Sequence, residues 1–275
     1  MSPTFWSNTI WYILLGIATI LELVFILIIA NNRKLVLALY ITISGLAFWG
    51  FEMITLMCLK AYIYYPKIFS NQHDDSVVGN LFSQTSVAAS AVLIALLNLK
   101  FYWYVIIAAV YGLIEELFIQ LGIFKHYWYR TWMTVAALLL LFWITKTVLN
   151  IFLKHFGHVW RYLFIFFGLC TFHLHLITWA SKAAGIRKFN ETLFPNPDCS
   201  IVVVAWTYNL LLSIIMMFLY FSNIKWVWKI AGICILYFAQ YYAEKYQLLI
   251  SKEGWFFILT SISIWGMYLN VYLPL

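Results

Sequence analysis

Residues 135–144 read VAALLLLFWI and residues 210–221 read LLLSIIMMFLYF. Neither run alternates apolar with polar side chains, and neither leaves a polar stripe at helical spacing, so neither suits an element with one face in water. Runs of this kind recur along the whole chain. Of its 275 residues 65% are hydrophobic and only 10% are charged, and the mean hydropathy is +0.89. Too few polar residues remain to cover a water-soluble surface, which makes this an all-α, polytopic integral membrane protein.

Segments of roughly 20 apolar residues match a hydrocarbon core of about 30 Å. On that criterion about nine transmembrane helices are expected, near residues 9–30, 35–58, 77–97, 101–122, 132–152, 159–180, 200–221, 226–248 and 255–273. The two longest loops, near 60–76 and 181–199, carry Pro66, Asp74 and Asp75 in one and Pro195, Pro197 and Asp198 in the other. No segment is long enough for a separate soluble domain, so residues 1–275 form a single membrane domain. No Lys or Arg precedes the first apolar run, and a cleaved signal peptide is not expected. Arg33, Lys34, Lys100, Lys154, Arg161, Lys225 and Lys229 lie in alternate loops free of acids, which favours a multi-pass protein of the cell membrane with its N-terminus outside. The net charge of +7 is spread over helix ends, so it suits anionic lipid headgroups rather than nucleic acid.

The chain also resembles itself. Residues 45–55 (GLAFWGFEMIT) and 168–178 (GLCTFHLHLIT) match at Gly, Leu, Ile and Thr, setting Glu52 against His175. A second pair of blocks runs from Glu116 to Trp128 and from Glu244 to Trp255, setting Glu116 against Glu244. The spacings of these anchors are 123 and 128, with Ser76 and Ser200 at 124 between them. An internal repeat of residues 35–152 and 159–273 follows, two four-helix units after a leading helix. An even number of helices per unit returns the chain to the same side, so the two copies are expected in parallel orientation.

The Asn31-Asn32-Arg33-Lys34 turn, the Tyr65-Pro66-Lys67-Ile68-Phe69 segment and the block from Glu116 to Trp132 resemble a family of small five-helix integral membrane proteins of Gram-positive, often spore-forming bacteria. The resemblance covers about residues 9 to 150. The second half is similar again through Glu244-Lys245-Tyr246 and Trp255, although Phe194-Pro195-Asn196-Pro197 departs from the Tyr-Pro segment. What the resemblance implies is architecture and a bacterial membrane, here as a tandem duplication; it carries no activity with it.

An ionisable side chain inside a membrane helix is costly and is a functional candidate by default. Glu52, Glu116, His175 and Glu244 are therefore the expected ligand-binding or proton-binding residues. Of the adjacent Glu115 and Glu116, which point about 100° apart, Glu116 is expected to face inward because Gln120 lies one turn further on. Glu22, near the middle of the first helix, is expected to face protein and find a partner; Lys146 is the candidate for a buried charge pair, although a lysine stretched towards the interface is the favoured expectation. His173 and His175 diverge too far on a helix to hold one ion together, and Cys58, Cys170, Cys234 and Cys199 spell neither a disulfide nor a zinc framework.

No phosphate loop, metalloprotease helix or nucleophile elbow is present, so no cofactor, metal or catalytic residue is expected. The reading that follows is a binder or carrier of a small solute or amphiphile, working in the lipid bilayer through its intramembrane carboxylates. A structural or assembly component of a membrane complex, with buried charges that hold helices together, is the next expectation. A membrane-embedded lipid-modifying enzyme is the third.

Overall fold

A computed structural model describes residues 4–154, 158–173, 180–190, 192–193 and 197–270. The chain divides into two compact units, residues 1–156 and 157–275. Among the described residues six helices are long and apolar enough to cross a membrane: Phe5–Ile29, Arg33–Cys58, Gln72–Leu96, Phe101–Gln120, Thr131–Leu153 and Val203–Phe221. Shorter apolar helices span Val159–Thr171 and Phe256–Gly266.

The first unit opens with a π-helical turn at Phe5–Thr9 that runs into α1 (Ile10–Ile29). Helix α2 (Arg33–Ala47) starts where the Asn32 side chain accepts the Leu35 N–H at 3.1 Å, and it widens into a π-helix over Phe48–Cys58. Helices α3 (Gln72–Leu96), α4 (Phe101–Gln120) and α5 (Thr131–Lys154) follow. Helix α3 is the centre of the unit, in contact with α1, α2 and α5. Its buried face is built of small residues, among them Ser86, Ala88, Ala89, Ser90 and Ala91, which let neighbouring helix backbones approach closely. Leu14, Ile17, Leu21 and Ile28 on α1 remain exposed, as a lipid-facing surface requires.

Two short strands depart from a purely helical reading. β1 (Tyr62–Tyr64) and β2 (Phe124–His126) form an antiparallel ribbon that ties the loop after α2 to the turn after α4. Three-residue strands carry too little periodicity to register in the sequence, and their pairing joins residues far apart in the chain. The loop between β1 and α3 is held by Asp75, whose carboxylate accepts the N–H groups of Lys67, Ile68 and Phe69 at 3.0, 2.7 and 3.0 Å. Gly79 lets β1 lie directly on α3, since a Cβ there would sit 2.5 Å from that of Tyr64.

The second unit contains α6 (His158–Phe172), a short α7 (Ala180–Ala183), β3 (Arg187–Phe189), α8 (Pro197–Phe221), α9 (Trp226–Lys245), β4 (Leu249–Ser251) and α10 (Phe256–Asn270). From its ribbon onward it repeats the element order of the first at a constant spacing of 125 residues. The starts pair as Tyr62 with Arg187, Gln72 with Pro197, Phe101 with Trp226, Phe124 with Leu249, and Thr131 with Phe256. Hydrogen bonds around the ribbons repeat too. Tyr65 N–H to Ile123 O (2.9 Å) answers to Asn190 N–H to Leu248 O (3.0 Å), and Tyr127 N–H to Ala61 O (2.9 Å) to Lys252 N–H to Ile186 O (2.7 Å). Left-handed turns fall at Lys60 and Gly185 before β1 and β3, and at Gly122 and Gln247 before β2 and β4.

This spacing corrects the register expected from the carboxylate blocks. At 125 residues the counterpart of Glu116 is Tyr241, that of Glu115 is Gln240, and that of Glu244 is Ile119.

Candidate functional site

The first unit contains a half-open cavity of about 520 Å³. One end is polar, with Glu52 from the π-helix, Tyr62 and Tyr64 from β1, Glu115 from α4 and Tyr129 from the turn before α5. The other end is apolar, walled by Leu46, Val87, Leu138, Leu141 and Ile144. No Lys or Arg is among its lining residues.

Both carboxylates are held from several elements. The Tyr62 hydroxyl donates to Glu52 Oε2, and the Asn80 amide, turned so that its nitrogen faces the carboxylate, donates to both oxygens at 3.2 and 3.0 Å. Thr55 Oγ1 lies 3.1 Å from the Tyr62 hydroxyl. At Glu115, Oε2 accepts from Thr134 Oγ1 at 2.6 Å while Oε1 lies 2.8 Å from His126 Nε2. Burial pushes the Tyr62 and Tyr64 phenols well above their ordinary range, and the negative charge of Glu52 adds to the effect. Burial likewise raises Tyr129, with Glu115 contributing. All three phenols therefore stay protonated at neutral pH and present neutral donors.

The aromatic rings form a continuous wall at this end. Tyr62 meets Tyr129 at 4.9 Å and Phe124 at 5.4 Å between ring centroids, and Tyr64 meets Phe124 at 4.6 Å. Rings around a carboxylate pair suit a cation, which gains from ring faces as well as from opposite charge.

Of the expected site residues, Glu52 lines the cavity and Glu116 does not. Glu116 is exposed and accepts a hydrogen bond from Thr131, and its neighbour Glu115 is the inward group. The stripe that decides this runs through Tyr104, Ala108, Gly112 and Phe118, all buried, and Glu115 continues it, whereas Gln120 is exposed. Glu244 accepts the Ser251 N–H at 3.2 Å at the end of α9 in the second unit. His175 lies outside the described residues. The Glu22–Lys146 pair is not formed. Glu22 accepts from Ser90 Oγ at 2.9 and 3.1 Å, with Tyr111 bridging Ser90 and Ser86, while Lys146 Nζ reaches the Leu99 carbonyl at 3.0 Å. A lysine that caps the carbonyls beyond α3 satisfies its charge near a helix end, which is the stretched alternative.

Asn80, His126, Tyr129 and Thr134 had no mark in the sequence as site residues. Among the described residues no three His, Cys, Asp or Glu side chains converge to hold a metal ion. Cys170 and His173 go to separate partners on α8, Ser213 and Asn209. Comparison with family models, with curated proteins and with solved structures finds no match.

Proposed function

We propose that this chain binds or carries cationic amphiphiles in the cell membrane, seating the head between Glu52 and Glu115 and the tail against the apolar end of the cavity. The observation that carries this reading is a pair of carboxylates on one aromatic-walled cavity with no basic side chain among its lining residues. Glu52 takes its described hydrogen bonds from neutral donors, which leaves its charge to be balanced from outside the protein. A proton is the natural replacement when the ligand departs, so protons and cationic heads compete for the same oxygens.

The same proposal includes nine crossings, a leading helix followed by two parallel-oriented four-helix units that arose by duplication, as in the five-helix family the first half resembles. The constant spacing of 125 residues and the repeated ribbon hydrogen bonds support it. Glu22, engaged with Ser90, serves packing between α1 and α3 rather than ligand binding.

The test is binding of dodecyltrimethylammonium to the protein in nanodiscs of neutral lipid. Glu52→Gln and Glu115→Gln are each expected to weaken binding by about tenfold or more while leaving the melting profile in place, and acidification is expected to weaken binding to the unmodified protein. Equal binding by both Gln variants, or equal competition from an uncharged dodecyl maltoside, would overturn the reading.

A further inference from the structure

Among the described residues of the second unit, one buried cation has no counter-ion. Arg187, in β3, is 2% exposed. Its Nε donates to Ser251 Oγ at 3.3 Å and its Nη2 to Thr260 Oγ1 at 3.4 Å, both long contacts to neutral oxygens, and its Nη1 has no hydrogen-bond partner. Among the described residues no carboxylate pairs with it. Glu244, whose carboxylate takes the Ser251 N–H, makes no ion pair with the guanidinium. A buried guanidinium in this condition carries a desolvation cost that nothing described offsets.

The groups around it are neutral hydroxyls and an amide. Thr260 Oγ1 donates to Gln240 Oε1 at 3.0 Å, which fixes the amide so that Nε2 is left over, 3% exposed as a residue and without a partner. The hydroxyls of Tyr208 and Ser263 are buried and meet no hydrogen-bond partner of good geometry. Several unsatisfied polar groups beside one buried cation make an arrangement that a bound anion would complete. Gln240 and Tyr208 also line an apolar cavity of about 390 Å³, walled by Val204, Leu211, Leu212, Ile215 and Leu236.

We propose that the second unit binds a single-chain carboxylate amphiphile, its head received by Arg187 Nη1 and Gln240 Nε2 and its tail lying in the apolar cavity between α8 and α9. One carboxylate oxygen faces the guanidinium and the other the amide, with the Tyr208 and Ser263 hydroxyls closing the remaining directions. This site is independent of the carboxylate cavity of the first unit, and its failure leaves that reading untouched.

The probe is cis-parinaric acid, a fluorescent fatty acid, titrated into the full chain in nanodiscs of neutral lipid. The unmodified protein is expected to bind it, the methyl ester of the same acid is expected to bind at least about tenfold more weakly, and Arg187→Gln is expected to lose at least about tenfold. Arg187→Lys restores a cation without the fork and is expected to recover part of that loss. Because Arg187→Gln removes a buried group, Leu212→Trp serves as a second variant that fills the tail cavity and leaves the head site intact; it is expected to block parinarate as well. Binding of the ester equal to that of the acid, or unaltered binding by a folded Arg187→Gln protein, would overturn the proposal. Displacement of parinarate by millimolar acetate, together with full binding to the Leu212→Trp variant, would also overturn it by assigning the site to a free anion.

Discussion

The two units place opposite chemistry on corresponding positions. Where the first has Tyr62, Glu115 and His126, the second has Arg187, Gln240 and Ser251, each 125 residues further on. In the first unit an acid lines the cavity and no basic side chain does; in the second a cation is buried and the group at the acid's position is a neutral amide. The ribbon, the left-handed turns and the helix order hardly change between them. The backbone hydrogen bonds of the scaffold are thus common to both units, while the side chains beside the cavities differ in charge.

The sharpest break in the comparison lies at position 75. Asp75 holds three backbone N–H groups in the first unit, and the second unit has Ser200 at that place. Asp75→Ala is expected to cost about 4 kcal/mol, because three donors lose a charged acceptor at once, whereas Ser200→Ala is expected to cost about 1 kcal/mol. Reversible unfolding in mixed micelles measures both, and equal costs would mean that the loop of the first unit is held by something else.

A smaller effect is expected at Gly79, whose counterpart is Val204. Val204 packs in the cluster containing Phe189, the counterpart of Tyr64, so the second unit accommodates a branched side chain where the first cannot. Gly79→Val forces the new Cβ against that of Tyr64 and is expected to destabilise by roughly 3 kcal/mol. A neutral outcome in the same unfolding assay would show that β1 and α3 are not in close contact.

The smallest effect separates the two adjacent acids. Glu116→Gln is expected to change stability by no more than about 0.5 kcal/mol and to leave alkylammonium binding as it is, in contrast to Glu115→Gln. Loss of binding on changing Glu116 would restore the inward assignment to that residue.

The helices were legible because apolar runs end at Lys, Trp, Tyr or Pro. The expected ends at 58, 101, 132, 221 and 226 fall within a residue of those observed. The ribbons were not legible, since YIY and FKH pair across some sixty residues and neither alternates over enough positions to be seen. Glu52 was legible as an acid within an apolar helix, although the π-helix that carries it half-buried was not, and π segments leave no pattern of their own. The inward face of α4 was present in the sequence, in Ala108, Gly112 and Glu115; Gln120 drew attention to the wrong face because an amide near a helix end is as often at the surface. Arg187 looked like an ordinary loop cation until β3 placed it under α10, where Thr260 meets it.

The central claim is that the two units hold ligands of opposite charge at separate sites, and one paired titration tests it. Dodecyltrimethylammonium and cis-parinaric acid are each titrated into the Glu52→Gln/Glu115→Gln double variant and into Arg187→Gln, in the same neutral-lipid nanodiscs. The double variant is expected to lose the cation and keep the fatty acid, and Arg187→Gln is expected to lose the fatty acid and keep the cation. Loss of both probes in each folded variant, or of neither, would contradict the assignment of opposite charge to the two units.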